Sequence, residues 1–319
     1  MDVASLQLAV ADLWQGPPPW EHPLAVLDLA ADEPLPGKLP LPPCPVIGLG
    51  DRASPLAALV DAVIEPPFRL ESVAAQVLAH PRAAAVVVQL LRRLPEMAAQ
   101  QGLAAESLAY GLLQGSAEHA GWLAGRDQPL VPLPGAVQRE RRDDRLDLVL
   151  DNVAQGNAID RTMRDALFEG LELAVLDESI ARIVLRGAGR CFSLGAELSE
   201  FGTTRDPAMA HTIRQQTLPA HMACQLTARF EAQVQGACLG AGLELAAWAG
   251  QVTAHKDAWF QLPELAMGVL PGAGGCVSLT RRIGRQRTAL LILSGRRINA
   301  RQALDWGLVD AVVDHLPAN

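Results

Sequence analysis

Between residues 70 and 125 alanine-rich segments set apolar residues at helical spacing, and this pattern predicts helices over Leu70–Ala79, Arg82–Leu94 and Leu103–Gly125. In the last of these Leu108, Leu112 and Leu113 are expected to pack inward, with Glu106 and Glu118 toward water. Ahead of the helices, from Trp14 to Pro45, prolines dominate; the short apolar runs LAVLDLA (Leu24–Ala30) and PVIGLG (Pro45–Gly50) read as short strands. Beyond residue 135 strand and helix patterns alternate. LDLVLD (Leu146–Asp151) and IARIVLRG (Ile180–Gly187) read as strands around a helix from Asp160 to Leu176, and a helical stretch near His211–Leu226 precedes EAQVQG (Glu231–Gly236). That alternation is the pattern of an α/β fold. PLVPLPG (Pro129–Gly135) reads as a linker, dividing an amino-terminal extension, residues 1–135, from a second unit, residues 136–319.

Composition narrows the function classes. The chain has 319 residues, half of them hydrophobic, yet no uninterrupted apolar run reaches the roughly 20 residues of a membrane span. A net charge of -8 disfavours a general attraction to nucleic acid. The chain starts acidic, without a basic segment ahead of an apolar one, so a soluble cytoplasmic protein is expected, with no membrane partner. Five cysteines stand singly, with neither disulfide-framework nor zinc spacing. With only two lysines, Lys38 and Lys256, arginine must do most of any anion binding.

Candidate chemistry centres on GACLGAGLELAAW (Gly236–Trp248). Glycines there let backbone approach a ligand closely, and a helix start points free N–H groups at it. A second glycine turn of similar build lies at Gly195, and Glu244 stands just inside the helix that Gly240 opens.

Five stretches, NAIDRTMRDAL, VLRGAGRCFSLGAEL, VQGACLGAGLELA, WFQLPELAMGVLPGAGGCVSLTRRIG and LSGRRINARQALDWGLVDAVV, occur in the order and at the spacing of the crotonase superfamily, the enoyl-CoA hydratases and isomerases. The segment from about Leu146 to Asp314 resembles that family. The resemblance implies an α/β core built as a spiral of repeated ββα units, here preceded by a mostly helical amino-terminal extension. It implies an acyl-CoA substrate, with coenzyme A entering as part of the thioester and no permanently bound cofactor, and assembly as a homo-oligomer, a trimer or hexamer.

The resemblance also assigns the site. The backbone amides of Ala196 and Ala241 would form an oxyanion hole for the thioester oxygen, a type of contact whose loss typically costs about 3 to 4 kcal/mol. The helix opened by Gly240 would turn its positive end to the same oxygen. Leu194 matches a position whose carbonyl meets the adenine of coenzyme A; Leu194, Ala196 and Gly240 are thus the expected coenzyme A contacts. Glu244 and Glu264 match the two glutamates of the hydratases, which bracket a water and divide proton removal from proton delivery. Both together favour a hydratase or dehydratase; an isomerase would need Glu264 alone, and a non-catalytic acyl-CoA or partner-binding subunit is the third reading.

Other features carry less. Cyclases of the family lean on a tyrosine, but the single one here, Tyr110, lies outside the matched segment. Asp257 and Asp305 are not placed for a nucleophile. His211, His221 and His255 lack metal-ligand spacing and are expected to be structural or exposed, so no metal is expected. Glu197 stands where the family usually has aspartate. RRIGRQR (Arg281–Arg287) reads as a solvated helix face, with phosphate binding as its alternative, and PGAGG (Pro271–Gly275) lacks the Gly-Lys-Ser/Thr of a phosphate loop. The family's usual helical tail has no counterpart after GLVDAVV in this sequence, and the helices of residues 70–125 are expected to cover the surface that such a tail would.

Overall fold

A computed structural model describes residues 7–8, 22–31, 41–126 and 133–317. Much of the proline-rich stretch and residues 129–132 of the expected linker lie outside the described residues. The extension opens with four short parallel strands in sequence order, β1 (Gln7–Leu8), β2 (Ala25–Asp28), β3 (Val46–Leu49) and β4 (Ala62–Val63). Helices α1 (Leu70–Ala79), α2 (Pro81–Arg93), α3 (Ala99–Gln114) and α4 (Ala117–Ala124) follow. The expected helix over Leu103–Gly125 is thus two helices. They part at Gly115 and Ser116, where the Ser116 hydroxyl accepts from the His119 amide and caps α4.

The second part starts with β5 (Ala136–Arg142), β6 (Arg145–Asp151), α5 (Arg161–Leu176), β7 (Arg182–Gly187), α6 (Pro207–Thr217) and α7 (Ala220–Leu226). It continues with β8 (Phe230–Val234), β9 (Ala237–Leu239), α8 (Gly240–Ala246), β10 (Gln251–His255) and β11 (Trp259–Gln261). Helices α9 (Gly275–Ile283) and α10 (Arg285–Ser294), strand β12 (Ile298–Asn299), helix α11 (Ala300–Trp306) and strand β13 (Ala311–Val313) complete it. One sheet runs β13-β10-β8-β7-β6-β5, parallel except for the β5–β6 hairpin; a smaller one runs β12-β11-β9. Two turns of the spiral, β8–β9 and β10–β11, lay one strand in each sheet before the next helix; the earlier turns from β6 and β7 contribute only the isolated bridges at Ile159–Ala196 and Ser193–Cys238. Asp160 and Asn299 cap α5 and α11 by accepting the amides of Met163 and Gln302.

Register brings distant motifs together. Strands β9 and β11 pair in parallel with Leu239 opposite Gln261, and an isolated parallel bridge sets Ser193 beside Cys238. The chain therefore leaves three neighbouring parallel segments at one edge, into the turns at Gly195, Gly240 and Glu264.

The extension shares the apolar core of the second part: Val73, Val87, Leu91 and Leu103 are buried in the same cluster as Leu243, Leu279 and Leu290. Asp61, 1% exposed, accepts from the Val46 amide and pairs with Arg92 of α2 at 2.6 Å and Arg285 of α10 at 3.1 Å. Its two cationic partners and its amide donor compensate a carboxylate that would otherwise be costly to bury.

The RRIGRQR segment is correspondingly neither a solvated face nor a phosphate site. Arg281 donates to Met97 O, Arg285 pairs with Asp61, and Arg287 pairs with Glu65 while packing over Trp306. Arg282 donates to the carbonyls of Leu308 and Ala249 and pairs with Asp310. Fixed acceptors on the surrounding segments withdraw Arg282, Arg285 and Arg287 from solvent while Arg281 stays exposed, a tertiary effect that a helical charge pattern does not contain. Among the described residues no single helix is long and apolar enough to cross a membrane.

Candidate active site

A cavity of about 260 Å³ opens where those three turns meet, and Ala196, Ala241, Glu244 and Glu264 all line it. Gly195 has φ +93° and Gly240 φ +44°, conformations that suit glycine. A side chain on Gly195 would lie 3.1 Å from the carbonyl oxygen of Leu239, so the two turns are in contact. The amides of Ala196 and Ala241 donate to no protein acceptor among the described residues. Two free donors therefore face one cavity from adjoining turns. Leu194, about half exposed, lies outside the cavity lining.

The two glutamates differ in their surroundings. Glu244 is 2% exposed, and its Oε2 accepts from the amides of Ala273 at 2.6 Å and Gly275 at 2.8 Å. Burial pushes its carboxyl up to about 7, while the two amides work in the opposite direction. Glu264, in the 3-10 turn Glu264–Met267, is buried with no hydrogen-bond partner for Oε2. Burial, then the nearby charge of Glu244, holds its carboxyl well above the usual range. Its Oε1 lies where a side chain on Gly240 would be, 2.6 Å from the added carbon. Gly240 thus makes room for the acid as well as for the turn.

PGAGG is built around these side chains. A side chain on Gly275 would meet Glu244 Cγ at 2.3 Å, one on Gly272 would meet the Tyr110 ring at 2.2 Å, and Gly274 has φ +101°. The stretch is a packing solution for two side chains, which is why it resembles a phosphate loop only in composition.

The extension contributes what the sequence did not reveal. On α3 the expected inward face is wrong by part of a turn: Leu108 and Leu112 are 61% and 66% exposed, whereas Glu106 is 1% exposed. Only Leu113 packs inward as expected. Glu106 is buried because it has donors waiting: Gly274 N–H gives to Oε1 at 2.7 Å and Val277 N–H to Oε2 at 3.2 Å. Burial and the charge of Glu244 raise its carboxyl well above the ordinary range. Glu118, also expected to face water, accepts instead from the amides of Arg82 and Ala83 at the start of α2.

Tyr110 and His119 from the extension line the cavity, together with Arg214 of α6. Tyr110 lies outside the matched segment in sequence but on the site in space. His119 is 2% exposed and stacks on Trp122; its Nδ1 lies 2.8 Å from Met267 O. A carbonyl only accepts, so Nδ1 is the donor in this contact. A close backbone approach fits α4 here, since a side chain on Gly268 would sit 2.6 Å from the His119 amide nitrogen.

The histidines singled out in the sequence lie elsewhere in the network. His211 Nδ1 lies 2.9 Å from Ser107 Oγ, His221 Nδ1 2.7 Å from Gln100 Oε1, and His255 is paired with Asp257. Among the described residues no group of His, Cys, Asp and Glu is placed to hold a metal ion. Glu197 lines the cavity, its carboxylate accepting from the Ser199 amide at 2.9 Å.

The enoyl-CoA hydratase/isomerase profile matches residues 146–316, just over half of the chain. The chain belongs to the enoyl-CoA hydratase/isomerase family. It is 38% identical over 183 residues to the 2,3-dehydroadipyl-CoA hydratase of Escherichia coli, covering 55% of this chain and 68% of that one. It is also 38% identical over 164 residues to the human peroxisomal bifunctional enzyme, half of this chain but only 22% of that protein. Among solved structures, an enoyl-CoA hydratase from Thermoplasma volcanium matches with a TM-score of 0.50 at 36% identity, covering 56% of this chain and 72% of that one. A putative enoyl-CoA hydratase/isomerase from Mycobacterium abscessus matches with a TM-score of 0.53 at 32% identity, covering 56% and 71% of the two chains. The crotonase fold of the second part follows, and with it membership of an enzyme family acting on acyl-CoA thioesters. The profile match begins at residue 146, so the whole extension, including the segment that carries Glu106, Tyr110 and His119, lies outside it.

Proposed function

We propose that this chain hydrates an enoyl-CoA, or dehydrates the corresponding hydroxyacyl-CoA, with coenzyme A entering as part of the substrate. The observation that carries the reading is the unequal environment of the two cavity glutamates. Glu244, stabilised by two amides, ionises first; Glu264, buried without a partner for Oε2, keeps its proton. One carboxylate and one carboxylic acid are what addition of water across a double bond requires.

In this mechanism Glu244 takes a proton from water as the water oxygen bonds to the β-carbon. The π electrons move toward the thioester, whose oxygen takes up negative charge facing the amides of Ala196 and Ala241. Glu264 then delivers its proton to the α-carbon as the electrons return. Amides held in place before the reaction need no rearrangement to stabilise that charge.

An isomerase that uses Glu264 alone is the second reading, favoured by the hold of the amides of Ala273 and Gly275 on Glu244, which resembles a structural contact. Assay of the purified protein against short, medium, branched and aromatic enoyl-CoAs, in isotopically labelled water, separates the two. Hydration places solvent oxygen on the β-carbon; isomerisation leaves the product with the mass of the substrate and a displaced double bond. A trimer or hexamer, the assembly implied by the family resemblance, is read in the same preparation by light scattering.

A further inference from the structure

The hydration chemistry leaves part of the cavity without a role, and that part joins the extension to α6. Arg214 is half-buried and lines the cavity, yet no carboxylate lies within ion-pair distance of it among the described residues. Its Nε donates to Ser107 Oγ at 2.9 Å, Nη2 to Ser107 O at 3.1 Å and Nη1 to Gln114 Oε1 at 3.5 Å. Of the five N–H groups of a guanidinium, two are left without a protein acceptor. Ser107 Oγ, which accepts from Arg214 Nε, also lies 2.9 Å from His211 Nδ1, so this hydroxyl is engaged on both sides.

The guanidinium lies over the Tyr110 ring, 4.6 Å from its centroid. The Tyr110 hydroxyl makes no hydrogen bond to the protein among the described residues, and its ring also lines the cavity. A partly desolvated cation with no ion-paired carboxylate among the described residues, Glu106 acting on it only through space, and an unused hydroxyl donor beside it make an arrangement that an anionic oxygen group completes. Position narrows which anion. The Tyr110 ring rests on Gly272, the residue before Ala273, whose amide holds Glu244. This pair is therefore beside the reacting carboxylates, whereas Leu194, the expected adenine contact, lies outside the cavity.

We propose that the cavity takes acyl-CoA thioesters whose acyl chain itself ends in a carboxylate, and that Arg214 and the Tyr110 hydroxyl bind that terminal group. The proposal rests on the reading of the cavity as an acyl-CoA site. The phosphates of coenzyme A offer the same anionic oxygens, so the test must separate the two sources. Calorimetry on the full chain uses three probes: hexanoyl-CoA, the six-carbon thioester bearing a terminal carboxylate, and free coenzyme A.

The parent protein is expected to bind the carboxylated thioester at least about tenfold more tightly than hexanoyl-CoA, the scale of a charge-assisted pair. Arg214→Met should abolish that preference and leave affinity for free coenzyme A within about twofold; Tyr110→Phe should reduce the preference about threefold. Equal binding of the two thioesters by the parent overturns the proposal, as does an equal loss for all three probes in Arg214→Met, which would put the arginine on a phosphate. Should Arg214→Met not fold, the parent's preference and Tyr110→Phe decide. Because binding needs no turnover, a parent that binds the thioesters without selectivity refutes this inference alone, whereas failure of every probe to bind the parent refutes the acyl-CoA reading beneath it.

Discussion

Glu106 and Glu244 hold alternate amides of one turn: Ala273 and Gly275 donate to Glu244, Gly274 and Val277 to Glu106. One carboxylate comes from the extension and one from the second part of the chain, and both are withdrawn from water. The turn that positions Glu244 is therefore finished by a residue 168 positions before Gly274 in the sequence.

Glu106→Ala leaves the Gly274 and Val277 amides without their acceptor and opens a hole beside Glu244. It is expected to lower stability by about 2 to 4 kcal/mol, read by urea denaturation. Glu106→Gln keeps an acceptor for one amide and should cost less stability. Because Glu244 is raised by its own burial and not by Glu106, the acid limb of kcat/KM should stay at its parental position in Glu106→Gln. A shifted acid limb in that variant would show that Glu106 acts on the base electrostatically and is not only a cap for the turn.

Glu244→Gln and Glu264→Gln should each lower hydration of an enoyl-CoA by at least about 10²-fold, because each removes one half of the proton division. Circular dichroism and CoA-thioester binding check that the fold survives. Turnover that persists in Glu244→Gln and disappears in Glu264→Gln would transfer the assignment to the isomerase.

Activity should rise as pH increases through about 7, where Glu244 loses its proton; burial and the charge of Glu244 hold Glu264 well above the usual carboxyl range. Stability runs the other way. A carboxyl whose folded value is raised favours folding below its unfolded value of 4.5, and this contribution is lost as pH rises through about 7. The parent is thus expected to lose thermal stability between pH 5 and about 8, and Glu264→Gln to lose less. Parallel melting curves for the two across that range would contradict the burial argument.

Ala241→Gly should keep much of the activity, since only the amide is used, whereas Ala241→Pro removes the N–H and should lose about 10²-fold or more in a protein shown to be folded. Gly272→Ala offers a contrasting test of the neighbouring turn. Its new methyl would sit 2.2 Å from the Tyr110 ring, so Tyr110 must shift and acyl-CoA affinity should fall.

Removal of residues 1–136 should expose the apolar surface that α1, α2 and α3 cover on α9 and α10, and take Tyr110 and His119 out of the cavity. Aggregation or a changed assembly state, with weakened acyl-CoA binding, is the expected outcome in light scattering and calorimetry. A soluble fragment with the parent's affinity would show that the extension does not build the pocket.

What the sequence by itself determined is local or ordered along the chain. Residues 70–79 read as a helix because their apolar spacing has a helix's period, and α1 spans those residues. The strands around Val46–Leu49 and Arg182–Gly187 were legible as short continuous apolar runs, and the five motifs in register carried the crotonase fold. They also marked Glu244, Glu264 and the glycine turns, which the parallel pairing of β9 with β11 brings into one cavity.

What only the tertiary structure decided is which side chains find partners far away in sequence. Periodicity places Leu108 inward and Glu106 outward on α3; the helix packs the other way, because amides at Gly274 and Val277 satisfy the carboxylate. The same holds for Arg285, whose partner Asp61 lies 224 residues earlier. Tyr110, His119 and Arg214 carry no motif, since a hydroxyl, an imidazole and a guanidinium become a site only when packing sets them around one cavity. Hydrophobic spacing reports which face of an element can be buried; which polar groups are buried with it depends on the donors and acceptors that the rest of the fold supplies.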